Sequence, residues 1–168
     1  MLNSSNNIFF HTLLVPVLSL LLIGCNQNSD QRDFEQQAFS EPSGITETDQ
    51  NGGIINRDPD DWRIAPFFQG DIELIQLPHP NPILTNQDLI IDIQVNFLDR
   101  IGGIYIRVFR FNGFPVIDSR EQVSTGITSF RLNPNIISGG VPNPQGLYRI
   151  IIQDDNENVI TYGDIEIQ

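Results

Sequence analysis

Three groups of side chains in this sequence have the types and spacing to do chemistry. Asp58, Asp60 and Asp61 form one acidic cluster, and Asp154, Asp155 and Glu157 a second. A calcium ion needs six to eight hard oxygen ligands, which such loops can supply together with backbone carbonyls. Neither cluster has the glycine and terminal glutamate of a calcium-loop motif, so a solvated polar turn is the competing reading of both. The third group is aromatic: Tyr105, Phe109 and Phe111 alternate along one segment, and an exposed stripe of this kind suits a glycan or a partner protein. The alternative is that the hairpin or the tether covers it. His79 stands between prolines and reads as an exposed loop residue. Cys25 is the only cysteine, which excludes an internal disulfide, a Cys-x-x-Cys metal knuckle and a cysteine-histidine nucleophile pair. No Gly-x-Ser-x-Gly, His-Glu-x-x-His, phosphate-loop or dinucleotide fingerprint occurs. The carboxylates lie in polar turns, away from the apolar surroundings that would raise a pKa for acid work. The chain therefore reads as a non-enzyme, with no cofactor beyond a weak case for calcium.

Cys25 has a different role to play. The 24 residues before it carry no Asp, Glu, Lys or Arg, and the apolar run from Thr12 to Ile23 has the length of a signal-peptide core. Leu22-Ile23-Gly24-Cys25 resembles the lipobox of bacterial lipoproteins, although the leader lacks the expected Lys or Arg near its start. The resemblance implies cleavage before Cys25 and attachment of acyl chains such as palmitate to its sulfur and new amino group. Each buried CH2 contributes about 0.8 kcal/mol, so two or three chains make a stable anchor where one is marginal. Asn26 is not the aspartate associated with inner-membrane retention, which points to the outer membrane, in either leaflet. The alternative is an ordinary secretory or transmembrane leader with a chance cysteine.

Fourteen Asp and seven Glu stand against nine Arg, with no Lys, for a formal charge of −12. That charge disfavours nucleic acid and electrostatic docking on anionic lipid, leaving the acyl chains as the membrane contact. An acidic, lysine-free surface also suits high salt, where screening removes self-repulsion, and compositional drift gives the same pattern.

The elements that must position these groups fall into three stretches. Residues 1–24 are the leader. Residues 25–61 are rich in Asn, Gln, Ser, Asp and Glu and read as a lipidated cysteine followed by a disordered tether, roughly 30 to 36 Å across as a flexible coil. Within it, Gly44 to Ile55 has two β-prone runs around Asn51-Gly52-Gly53, a marginal hairpin. Residues 62–168 read as strands. Trp62, with Ile64, Phe67 and Phe68, should plug one end of a core. Residues 71–77 alternate, and the three prolines in 78–82 forbid a continuing ladder. Leu89, Ile91, Ile93, Val95 and Phe97 share one face of the strongest strand. Ile104, Ile106 and Val108 should face inward on the next, and Asn112-Gly113 turns into an edge strand containing Pro115. Thr128, Phe130 and Leu132 share a side, as do Tyr148, Ile150 and Ile152, and a long loop covers 133–146. No amphipathic helix of useful length is evident. Roughly seven short strands at about ten-residue spacing indicate an all-β, antiparallel, immunoglobulin-like β-sandwich.

Pro80-Asn81-Pro82, the segment Tyr105 to Gly113, and Gly146-Leu147-Tyr148 together resemble the C-terminal sorting domain of proteins exported by type IX secretion. The resemblance implies a small β-sandwich. The chain departs from it in carrying no cargo before the domain and in ending on Asp164-Ile165-Glu166-Ile167-Gln168, acidic where such domains finish basic. Two functional classes follow. The chain is a lipid-anchored envelope module that binds a protein or glycan through its end loops, especially 133–146. Alternatively it is a structural subunit of an envelope or secretion assembly, docking by a strand edge.

Overall fold

The structure is a computed structural model that describes residues 29–109 and 113–168. A helix, α1, covers residues 29–38. The strands are β1 (Glu47–Thr48), β2 (Ile54–Asn56), β3 (Ile72–Leu74), β4 (Leu89–Val95), β5 (Ile104–Val108), β6 (Val116–Arg120), β7 (Gly126–Leu132), β8 (Gly146–Asp154) and β9 (Val159–Ile167). A short helix, α2 (Pro134–Ser138), joins β7 to β8. One sheet has the order β3-β4-β7 and the other β6-β5-β8-β9, and all strand pairs are antiparallel. The chain therefore passes two strands to the first sheet, two to the second, one back to the first and the last two to the second. That is the exchange between layers of an immunoglobulin-like β-sandwich.

The alternating residues build the core as their period requires. Leu89, Ile91, Ile93 and Val95 are buried and their neighbours half-buried, and Ile104, Ile106 and Val108 repeat the pattern. Phe130, Leu132, Ile150 and Ile152 complete the inward faces in one cluster. Tyr148, at the start of β8, donates from its hydroxyl to the carbonyl of Pro144 at 2.8 Å. This is the tyrosine corner that fixes the approach to the sixth strand in many sandwiches.

Several expectations need correction. Phe97 does not continue the inward face of β4. The strand stops at Val95 because Asn96 and Phe97 both turn their N–H groups to the carbonyl of Asp71, and the ring is left exposed. Phe67 is likewise outside the core, whereas Trp62 and Phe68 are buried. The loop expected over 133–146 is in part a plug. Asn133 caps α2 through the N–H of Ile136 at 2.9 Å, and Pro134, Ile137 and Ser138 are buried.

The larger correction concerns residues 29–61, expected to lie in a polar tether. They are packed on the sandwich. The helix α1 buries Phe34 and Ala38, four residues apart on one face. Two apolar positions are too few to register as a helical period in a run of polar residues. The β1–β2 hairpin does form and docks, with Thr48 and Asn81 exchanging both backbone hydrogen bonds. Its turn is closed by Asp49, whose Oδ1 accepts from the N–H groups of Asn51 and Gly53, each at 2.8 Å.

The proline-rich segment also pairs. Its prolines alternate with residues that keep their N–H groups, so His79 pairs with Ile90 of β4 and Asn81 with Thr48. Ile83 then bridges Ile167 of β9 in parallel. The segment thereby crosses from one sheet to the other along the open side of the sandwich.

Trp62 closes that side. Its backbone lies in the left-handed region at φ 57°, its N–H donates to the carbonyl of Tyr162 at 2.7 Å, and its indole lies against Gly163. A Cβ at Gly163 would overlap the indole ring. Gly163→Ala is therefore expected to destabilise the fold by about 1–3 kcal/mol, as overpacked cores do. Urea unfolding of the wild type and variant would measure it, and equal midpoints would show that the indole moves aside freely.

Candidate functional site

The polar centre of the molecule is built on β8 and β9. Their register sets Arg149 opposite Asp164, on the face that points away from the sandwich core. Both side chains are 1% exposed. The pair is bidentate, with Nε to Oδ1 at 2.7 Å and Nη2 to Oδ2 at 2.8 Å. The remaining nitrogen, Nη1, donates to the carbonyls of Gln37 at 2.8 Å and Ser40 at 3.0 Å, and to the Ser40 hydroxyl at 2.7 Å. A guanidinium thus closes the C-terminal end of α1, where unpaired carbonyls carry partial negative charge. It also stacks over the Tyr162 ring, 5.0 Å from its centroid. Burial works against the charged arginine, but the hydrogen bonds and charge of Asp164 outweigh it and hold its pKa above the ordinary value.

Asp61 and Asn81 extend this centre along the free edge of β9. The Oδ1 of Asp61 accepts from the N–H of Asp164 at 2.8 Å, and its Oδ2 from the N–H of Thr46 at 2.7 Å. Asn81 donates to the carbonyls of Thr46 and Asp164 and accepts from the N–H of Glu166. Burial pushes the Asp61 carboxyl up to about 7. The two backbone N–H groups pull the other way, and the charges of Asp164 and Asp58 add to the rise. Outside this layer, Arg63 donates to the Gln37 side chain at 2.8 Å and to the Tyr162 hydroxyl at 3.1 Å. Burial also raises the Tyr162 pKa. An open depression of about 270 Å³, lined by Asp30, Asp33, Phe34, Gln37, Arg63 and Pro66, lies over this network.

The two acidic clusters are drawn into separate hydrogen bonds. Asp61 is buried, and its two oxygens accept from the N–H groups of Asp164 and Thr46. The Asp58 carboxyl is held above its ordinary pKa, first by a hydrogen bond with the Asp60 side chain and then by burial. That same bond holds Asp60 low. In the second cluster Asp154 accepts from the N–H groups of Asn156 and Asn158 and from the Asn158 amide, closing the β8–β9 turn. Asp155 points to the N–H of Gly102 at 3.4 Å, and Glu157 to Arg107 at 3.4 Å. Among the described residues no three His, Cys, Asp or Glu side chains are arranged to hold a metal.

Tyr105 and Phe109 are half-buried. Phe109 packs against Phe114, and Phe114 against Phe39 just beyond α1, with centroids 5.4 and 5.0 Å apart. Phe111 and Cys25 lie outside the described residues. His79 is buried rather than exposed, its Nδ1 3.0 Å from the carbonyl of Leu77.

No family model matches the chain, and no curated protein does. Among solved structures, the chain is similar to the crystal structure of a CARDB domain of a Pyrococcus furiosus protein in complex with di-metal ions. The identity is 16%, over 58% of this chain and 84% of that one, with a TM-score of 0.29. The sandwich rests on this chain's own strand pairing.

Arg149, Asp164 and Asn81 were not legible as a centre. Strand alternation marks Arg149 and Asp164 as outward-facing, which they are; nothing local says that another segment covers them. Two outcomes follow. Arg149→Ala leaves Asp164 buried and unpaired and is expected to cost about 3–5 kcal/mol, measured by urea unfolding; a loss under about 1 kcal/mol would mean that the pair is solvated. Asp61 has a folded pKa above its unfolded one, so the native state keeps a proton that the unfolded chain loses. Its contribution to stability is full below about pH 4 and is lost as pH rises to about 7. The urea midpoint of the wild type should fall between about pH 5 and about pH 8, and fall less in Asp61→Asn. An identical fall in both would assign the slope to other groups.

Proposed function

We propose that this chain is a lipid-anchored cell-envelope protein that presents a non-catalytic β-sandwich as a binding module. The observation that carries the reading is the charge-free leader ending in Leu22-Ile23-Gly24-Cys25, after which every charged side chain of the protein is found. Support comes also from how the titratable groups are used. Asp61, Asp154, Asp164 and Arg149 are buried and spend their hydrogen bonds on closing turns, a strand edge and a helix end. The surface left for a partner includes the end of the sandwich that carries residues 133–145, where Ile136 and Val141 are exposed. A protein or glycan of the envelope is the partner class this reading assigns.

The intact mass of the membrane-extracted protein tests the anchor. The wild type is expected to begin at Cys25 with acyl chains attached, and Cys25→Ala to leave the membrane fraction. Retention of residues 1–24 without added lipid would overturn the reading. Photo-crosslinking from position 136 in intact cells then seeks the partner.

A further inference from the structure

We propose that the end of the sandwich formed by Phe67, Phe97 and Leu98 rests on the bilayer to which Cys25 is anchored, so that the module lies against the membrane instead of standing off on a tether. The inference rests on the lipid-anchor reading.

Chain length is the first argument. Ser29 is already part of α1, and three residues lie between it and Cys25, a span of four residue steps. Fully extended, four residues reach at most about 14 Å. Ser29, at the start of α1, must therefore sit within that distance of the lipid attachment.

The second argument is where that turn lies. The N–H of Phe67 donates to the Gln31 side chain at 3.1 Å, and the Gln31 amide donates to the carbonyl of Val159 at 3.4 Å. Val159 opens β9, directly after the β8–β9 turn. The start of α1 is thus at the end of the sandwich that carries the β4–β5 loop, the β8–β9 turn and residues 66–71. The loop 133–145 is at the opposite end, because Leu132 pairs with Leu89 while Gly126 pairs with Val95.

The third argument is what that end exposes. Phe67 is 43% exposed, Phe97 60% and Leu98 42%. The two loops bearing them are locked together. Arg100 donates to the carbonyl of Phe67 at 3.1 Å, lies over its ring at 5.1 Å and reaches Asp71 at 3.8 Å. The carbonyl of Asp71 in turn accepts from Asn96 at 2.8 Å and Phe97 at 3.5 Å. The apolar side chains are held outward on an ordered base, and little conformational entropy is lost when they enter the headgroup boundary. Aromatic and leucine side chains are the types that bury there. Asp30, Asp33, Asp99 and Asp155 are exposed at or near this end, so the contact is apolar and suits zwitterionic lipid. A covalent anchor keeps the surface at high effective concentration, so a weak contact suffices.

The test uses the full acylated protein in phosphatidylcholine vesicles. With the Cys25 sulfur taken by an acyl chain, a nitroxide can be placed singly at Phe97→Cys, Leu98→Cys or, at the far end, Ile136→Cys. Collision with oxygen relative to a water-soluble nickel chelate is expected to be several-fold higher at 97 and 98 than at 136. Equal ratios at the two ends, in protein that carries acyl mass and floats with the vesicles, would overturn the docking while the anchor stands, and would leave the end free for a protein partner. Protein without acyl mass that fails to float would overturn both.

Discussion

The hydrogen-bonding groups along the outer edge of β9 are the constraint on which the rest of the structure depends. An edge strand left open offers a row of donors and acceptors to any other chain, and a buried one must be satisfied from within. Here the partners are mostly not a strand. Trp62 and Ala65 donate to the carbonyls of Tyr162 and Ile160, and Ile83 to that of Glu166. Between them the Asp61 carboxylate and the Asn81 amide stand in for backbone, one accepting from Asp164 and the other spanning Asp164 and Glu166. An acceptor-only side chain and an amide are chosen by what each stretch of edge presents. On the edge Asp61 meets the N–H of Asp164, and Asn81 meets the carbonyl of Asp164 and the N–H of Glu166, while both also bond the backbone of Thr46.

That solution draws the N-terminal segment onto the outer face of the second sheet, and there the Arg149–Asp164 pair becomes buried. Arg149 is the hinge of the arrangement because its donors go in two directions, to the carboxylate across the strand pair and to the end of α1. A buried pair of this kind gives modest net stability against apolar residues of the same size. Losing one member is costly, because the other is then stranded. The pair therefore specifies where the helix must sit more than it strengthens the fold. A helix with only Phe34 and Ala38 buried has little other means of choosing its register.

Functionally, the packing of residues 29–61 changes the distance scale of the molecule. A coil of that length would be roughly 30 to 36 Å across, whereas residues 29–61 lie on the sandwich from Ser29 onward. The acidic turns, open to a calcium reading and to a polar-turn reading alike, spend carboxylates on the β8–β9 turn and on the edge of β9. The carboxylates of Asp154 and Asp61 are occupied by amide donors from their own surroundings.

The sequence by itself determined the class of fold, because period-2 alternation is a local property. Leu89 to Val95 and Ile104 to Val108 bury the residues their spacing assigns, and the turn at Asn51-Gly52-Gly53 lies where its residues require. It also determined that no disulfide could hold the domain, since Cys25 is the one cysteine. Only the tertiary structure decided which polar residues are interior. Arg149, Asp164, Asp61, Asn81 and His79 are buried by segments distant in sequence, and a charge on a strand reads the same whether its face meets water or another part of the chain. Composition also misplaced the start of the domain. A polar segment cannot bury enough apolar area to fold alone, but it can be held by hydrogen bonds to an edge and a face that already exist.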